Sequence, residues 1–191
     1  MNQPDFKDNL FNEINFTEIG IPRGDYDNCR FINCKFTNIN LSTFSFIECE
    51  FDGCDLSMAK INNTSFKGVK FTNRKLLGLN FNDCDNFLLM MYFDNCQLNL
   101  SSFYKLELKN IEFKNCDLQE VDFTETNLIS STFENCNLNR AIFSSTNLEK
   151  ADLSTSYNYS IDPETNKIKK TKFSSIGALG LLDKYDIIIE T

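Results

Sequence analysis

From Phe6 onward, every fifth residue is large and apolar. Sixteen successive positions from Phe6 to Phe81 follow this rule, and after a slip of two residues fourteen more run from Leu88 to Leu153. Neither standard period matches, because an amphipathic helix repeats about every 3.6 residues and a half-buried strand about every two. A fixed, longer spacing is the mark of a stacked architecture in which each unit is buried by its neighbours. The residue two before each centre forms a second inward class of mostly small or apolar types. All eight cysteines occupy it: Cys29, Cys34, Cys49, Cys54 and Cys84 in the first phase, Cys96, Cys116 and Cys136 in the second. Two inward positions in five describe a short extended segment followed by a turn, repeated.

The number of segments per coil follows from two signals. In the second half the centres alternate Phe and Leu, which implies an even number of sides, and cysteines recur at a spacing of twenty, so four segments close a coil. Outward charges test this independently, since residues twenty apart become lateral neighbours and like pairs are disfavoured. Nine pairs at that spacing are opposite in sign: Lys7/Asp27, Arg30/Glu50, Glu50/Lys70, Lys35/Asp55, Asp55/Lys75, Asp94/Lys114, Lys114/Glu134, Lys105/Glu125 and Glu120/Arg140. The like pair Asp5/Asp25 lies beside Pro22 and Gly24.

The pattern resembles the pentapeptide-repeat family, on motifs such as Ala151-Asp152-Leu153-Ser154-Thr155 and the Asn-Leu pairs at 127–128, 137–138 and 147–148. The resemblance covers roughly residues 5–155. It implies an all-β solenoid, a right-handed quadrilateral parallel β-helix with four five-residue faces per coil. At a strand spacing of ~4.8 Å, thirty segments make about 7.5 coils and a rod of ~36 Å. Residues 1–155 are expected to form this solenoid, and 156–191 a C-terminal cap and dimerisation element.

Three places depart from the repeat. At 82–91, Asn86 fails as a centre and two extra residues precede the new phase, leaving Phe87, Leu88, Leu89, Met90 and Met91 as an apolar stretch that either covers a bulge or forms a patch for a partner. Arg74 stands at an inward position, where it must turn outward or be satisfied by backbone carbonyls. After Leu153 the pattern stops: a turn at 162–166, a short helix from about Ser174 to Lys184 carrying Ile176, Leu179, Leu181 and Leu182, and a strand-like 185–189 are expected to cover the open solenoid end. In bacterial proteins with this resemblance the terminal element also forms a two-fold homodimer.

Composition narrows the chemistry. The chain has no histidine, which removes Ser-His-Asp and Cys-His catalysis and imidazole ligation. Acids and hydroxyls fall on regular flat faces, so no enzyme and no cofactor are expected. The cysteines lie in stacks set by the repeat rather than converging on a point, so they read as buried thiols rather than metal ligands or disulfides. The first residues lack a secretory profile and there is no membrane-spanning run, pointing to the cytoplasm. Net charge is −8, which disfavours direct binding to nucleic acid.

Low glycine, a Phe-rich core and the C-terminal tail are most similar to the quinolone-resistance (Qnr-like) and microcin-immunity proteins of the family. That resemblance implies a DNA-mimicking protein that binds DNA gyrase or topoisomerase IV and counters a topoisomerase poison. The alternative is a non-catalytic interaction scaffold. Most charge ladders alternate in sign, so the candidate acidic site is a girdle around one coil, Glu112, Asp117, Glu120, Asp122 and Glu125, with Glu134 on the next. Two extra residues cannot supply the long projecting loop that the Qnr-like proteins use in drug protection. A twenty-residue coil further predicts that Cys96, Cys116 and Cys136 share one face, and any structure separating them would refute it.

Overall fold

A computed structural model describes residues 5–189. Each coil consists of four short extended segments joined by corners, and at most corners the residue two places after the centre lies in the left-handed region. Asn28, Asn33, Asn38, Asn63, Asn73, Asn95, Asn115 and Asn135 all stand there, which suits the residue whose short polar side chain tolerates this conformation best after glycine. Met58, Leu88 and Leu100 adopt the same conformation with φ of 57°, 58° and 63°, at a local cost of roughly 1–2 kcal/mol each.

Successive coils are joined by parallel pairing. One face is a four-stranded sheet of Asp5–Lys7, Asp25–Asp27, Ser45–Ile47 and Ser65–Lys67. The adjacent face is a nine-stranded parallel sheet running from Leu10–Asn12 through Val69–Lys75 and Met91–Gln97 to Lys172–Phe173. Isolated parallel bridges such as Asp55↔Lys75 and Asp122↔Ile142 tie the other two. The register Phe11↔Phe31↔Phe51↔Phe71 advances by twenty, steps by twenty-two from Phe71 to Phe93, and returns to twenty with Phe93↔Phe113↔Phe133. Nine levels separated by ~4.8 Å give a rod of about 38 Å.

The interior is built of stacked columns. Phe93 lies over Phe113 at 5.3 Å and Phe103 over Phe123 at 5.4 Å, while Phe103 meets Phe113 edge to face at 5.6 Å. Both geometries are favourable for aromatic pairs, and they explain why phenylalanine in the second half occupies two facing columns and leucine the two between. Many polar members of the second inward class prove to be hydrogen-bond donors. The Sγ of Cys49 donates to the Tyr26 carbonyl at 3.4 Å, that of Cys136 to Phe113 at 3.4 Å, and the hydroxyls of Thr64, Thr126, Thr146 and Ser156 to Leu41, Phe103, Phe123 and Phe133 at 2.7–2.8 Å. Small size alone does not account for Cys, Ser and Thr here; the side chain engages a carbonyl of the coil below. Cys96, Cys116 and Cys136 share one face, with Cys116 reaching the Phe93 carbonyl and Cys136 that of Phe113.

Several expectations need correction. The solenoid does not end at 155, because Asp152 and Leu153 pair with Lys172 and Phe173, and Asn147 with Lys167. Here Tyr159, Ile161 and Asn166 are buried and supply the inward side chains in place of the usual residue types. The helix expected near 174–184 is two 3₁₀ turns, Gly177–Leu181 and Asp183–Tyr185. The expected strand at 185–189 does not form: Ile187, Ile188 and Ile189 are exposed and pair with no sheet. Leu88 is not a core centre but an exposed corner residue, since the register places the two-residue excess between it and Met91.

Phe113→Ala should lower the unfolding free energy by about 3–5 kcal/mol. Thr126→Val keeps the shape but removes one of the two donors to the Phe103 carbonyl, which retains the Leu106 N–H, and should cost about 0.5–1.5 kcal/mol. Urea unfolding measures both, and an unchanged midpoint for Thr126→Val would remove the hydroxyl–carbonyl bond as a determinant of the core.

Candidate functional site

The six girdle carboxylates do not converge. Glu112, Asp117 and Asp122 sit on three successive faces of one coil, Glu120 and Glu125 on the corners between and after them, and Glu134 on Glu112's own face one coil on. Most are engaged by neighbours. Glu120 contacts Arg140 at 3.6 Å, Glu125 contacts Lys105 at 3.5 Å and accepts from the Tyr104 hydroxyl at 3.3 Å, and Glu134 lies 3.9 Å from Lys114. Asp117 accepts from Asn99, Gln119 and Asn137 side chains at 2.9, 3.0 and 3.3 Å. Asp122 accepts the Thr124 backbone N–H at 2.8 Å. Glu112 makes no such contact with the described residues.

Of the nine charge pairs expected at a spacing of twenty, six form ion contacts; Lys7–Asp27, Arg30–Glu50 and Lys70–Glu50 at 3.2–3.4 Å join the three above. Lys35/Asp55 and Asp55/Lys75 lie in register without a close contact, as do Asp94/Lys114. Each exposed pair contributes roughly 0.2–1 kcal/mol, so their effect is on register and on local neutralisation of the surface. Asp152–Lys172 at 2.9 Å belongs to the same ladder and was hidden by the apparent end of the repeat. Hydrogen bonds from Ser154 and Lys172 hold the Asp152 carboxyl down to about 2.

The apolar patch divides. Phe87, Leu88 and Met90 are exposed, Leu89 packs partly on the core, and Met91 is buried opposite Val69. Lys67 Nζ stands 5.2 Å from the centre of the Phe87 ring, and the Tyr92 hydroxyl meets Met90 Sδ at 3.1 Å. At the C-terminal end Ile176, Leu179 and Leu182 are exposed, whereas Leu181 packs on the core.

A cleft between the last coils and the 3₁₀ turns, lined among others by Asn139, Ser154, Ser156, Tyr159, Ser174 and Asp183, escaped the sequence analysis. Its walls come from segments with no shared motif, so no spacing pointed to it. It holds hydroxyls, amides and the Asp183 carboxylate, and no thiol or imidazole lines it. Among the described residues no group of three or more Cys, Asp or Glu is arranged to hold a metal ion, and no helix is long and apolar enough to cross a membrane.

The family model for the pentapeptide repeat region matches residues 25–86 and 90–158. The chain belongs to the pentapeptide-repeat family. The gap in the match, at 87–89, falls where this pentapeptide-repeat protein departs from its register. A comparison with curated sequences gives no match. Among solved structures, full-length QnrB1, a plasmid-mediated fluoroquinolone resistance protein, is similar with a TM-score of 0.63 and 18% identity over 96% of this chain and 100% of that one. HetL, a pentapeptide-repeat protein involved in heterocyst differentiation regulation from the cyanobacterium Nostoc sp. strain PCC 7120, gives a TM-score of 0.64 and 12% identity over 91% and 84%. At these identities the likeness establishes the fold.

The contacts of the girdle predict unequal costs. Asp117→Ala should destabilise the protein by about 1–2 kcal/mol through three lost side-chain hydrogen bonds, and Glu112→Ala by no more than ~0.5 kcal/mol. Equal thermal midpoints for the two variants would show that the Asp117 network contributes nothing.

Proposed function

We propose that this pentapeptide-repeat protein is a non-enzymatic DNA mimic that binds and modulates a type II topoisomerase, DNA gyrase or topoisomerase IV, and so protects against a topoisomerase poison. The observation that carries this reading is shape: an unbranched acidic rod, 96% of which aligns with the whole of QnrB1 at a TM-score of 0.63. A rod of about 38 Å has the length of roughly eleven base pairs. With a net charge of −8 it would be drawn to a basic DNA-binding surface. The protein would act in the cytoplasm, without direct contact to nucleic acid, as a homodimer joined through Ile176, Leu179, Leu181 and Leu182. The exposed Phe87, Leu88 and Met90 would add apolar contact to a protein partner.

A second reading, an interaction scaffold without a topoisomerase role, is favoured by one specific observation. Three of the six girdle acids are already paired with a lysine or arginine of the adjacent coil, so the surface offers shorter anionic tracks than the net charge implies.

A supercoiling assay with gyrase, with and without a fluoroquinolone, separates the two. Inhibition, protection or binding at micromolar protein is expected on the first reading, and none of these on the second. If binding is seen, reversing Asp117, Glu120, Asp122 and Glu125 to lysine should slow association and flatten its salt dependence. Unchanged binding by a folded quadruple variant would remove the girdle from the interface.

A further inference from the structure

The cleft at the C-terminal end exists because one corner of the solenoid is displaced. Asn33, Asn73, Asn95, Asn115 and Asn135 stand at that corner in the left-handed conformation, but Thr155, twenty residues on from Asn135, does not; the left-handed residue comes three places later, at Asn158. Asn115 N–H reaches the Glu134 carbonyl at 2.8 Å, whereas Asn135 N–H meets the Thr155 hydroxyl at 3.0 Å instead. The backbone ladder is therefore interrupted here. The chain then returns over the last coil as the two 3₁₀ turns, tied to it where Ile161 N–H reaches the Gly180 carbonyl at 3.1 Å. Between coil and turns lies a space of about 540 Å³, within the range that takes small ligands.

Tyr159 is the buried member of the lining. It is 4% exposed, its ring centre lies 5.8 Å from that of Phe173, and its hydroxyl is buried without a hydrogen-bond partner among the described residues. That hydroxyl ends between Ser174 and Gly177, which also line the cleft: a β-carbon on Gly177 would collide with it, and the Ser174 Oγ already accepts the Gly177 N–H at 2.9 Å. Gly180 likewise lets the turn close on the Tyr159 carbonyl. Buried polar groups are nearly always paired, so an unpaired hydroxyl set among the residues of a cleft points to a ligand.

The neighbouring side chains engage their donors elsewhere. Asn139 and Asn158 give amide N–H groups to Gln119 at 3.5 Å and Asn137 at 3.0 Å, the Ser154 hydroxyl donates to Asp152 at 2.6 Å, and that of Ser156 to the Phe133 carbonyl at 2.7 Å. Their oxygens remain as acceptors. Asp183 adds an exposed carboxylate with no cationic partner among the described residues, because Lys184, next in the chain, is held by Asp162 and Glu164 at 2.7 Å each. Arg140, beside Asn139, is drawn to Glu120 at 3.6 Å, and no lysine or arginine lines the cleft. Tyr157 and Ile176, both exposed, add aromatic and apolar surface. An anionic, acceptor-rich hollow with an aromatic wall is complementary to a cation that carries several N–H donors.

We propose that this cleft binds a small organic cation, a guanidinium or primary ammonium group on a short aliphatic stem, with Asp183 as its counter-charge and the amide oxygens of Asn139 and Asn158 as acceptors. The site is separate from the acidic girdle and does not depend on a topoisomerase partner. Agmatine and putrescine titrated into the isotope-labelled full chain, followed by amide NMR, should give saturable shifts centred on Asn158, Gly177 and Gly180, with a dissociation constant of about a millimolar or tighter. Butanediol, the neutral counterpart of putrescine, should bind at least about tenfold more weakly, and Asp183→Asn should weaken agmatine by about tenfold or more. Glu112→Gln, which removes an acid outside the cleft, should leave agmatine binding unchanged. Non-saturating shifts spread over the acidic faces would mean diffuse association with a chain of net charge −8 and would overturn the proposal. So would equal binding of putrescine and butanediol, or of agmatine to the native protein and Asp183→Asn. A capped Gly-Arg-Gly peptide separates the two sources of a guanidinium: agmatine should bind at least as tightly, and a peptide that binds tenfold tighter would overturn the small-molecule assignment in favour of an arginine side chain from a protein partner.

Discussion

Backbone hydrogen bonds between successive coils are the constraint on which everything else in this molecule rests. Phe36 N–H reaches the Asp55 carbonyl at 2.7 Å and Asp55 N–H reaches back to Cys34 at 3.1 Å, and the same two-way pattern continues from coil to coil. Because these bonds are made with a residue about one coil away, they work only if every coil contains the same number of residues. That requirement propagates into the core, where side chains at equal phase must stack, and onto the surface, where charges at equal phase become neighbours. An extra pair of residues is therefore tolerated only where it can be pushed out of the ladder. At 88–91 it leaves at a corner, and Leu76 N–H recovers its partner at Gln97 with a separation of twenty-one rather than nineteen.

The same constraint shapes what the surface can do. Flat walls with a repeat of one coil offer a partner a regular lattice of side chains rather than a pocket, which suits recognition of an extended, repetitive or rod-accepting surface. It also limits the anionic character of those walls: stacked like charges would strain the ladder, so lysine and arginine are interleaved with the acids. A rod of this kind can mimic the length of a DNA segment more readily than its unbroken charge, and the apolar corner at Phe87, Leu88 and Met90 becomes the most distinctive feature of an otherwise periodic exterior.

Legibility in the sequence followed the strength of this repeat. Cys96, Cys116 and Cys136 were placed on one wall from spacing alone, and the ion pairs Arg30–Glu50 and Lys105–Glu125 from the same arithmetic. Where residue types changed, the pattern was lost although the coil continued: Tyr159, Ile161 and Asn166 occupy inward sites that the motif reserves for other residues. Apolar spacing at 177–185 predicts a helix where the chain makes 3₁₀ turns, because spacing cannot register how tightly a short segment must wind to lie across the end of the rod. Leu88 fits the period and yet is exposed, because periodicity reports that a slip has occurred and not which residues are expelled.

Period, coil length and register were determined by the sequence itself, because each is a property of spacing and every coil repeats the evidence. The tertiary structure decided what no spacing encodes. It showed that many of the inward Cys, Thr and Ser side chains donate to carbonyls of the preceding coil, that the girdle acids are dispersed over three faces and largely engaged, and that Arg74 is buried among thiols. These depend on which atoms meet across coils, and that is settled by three-dimensional packing around each particular side chain rather than by its phase in the repeat.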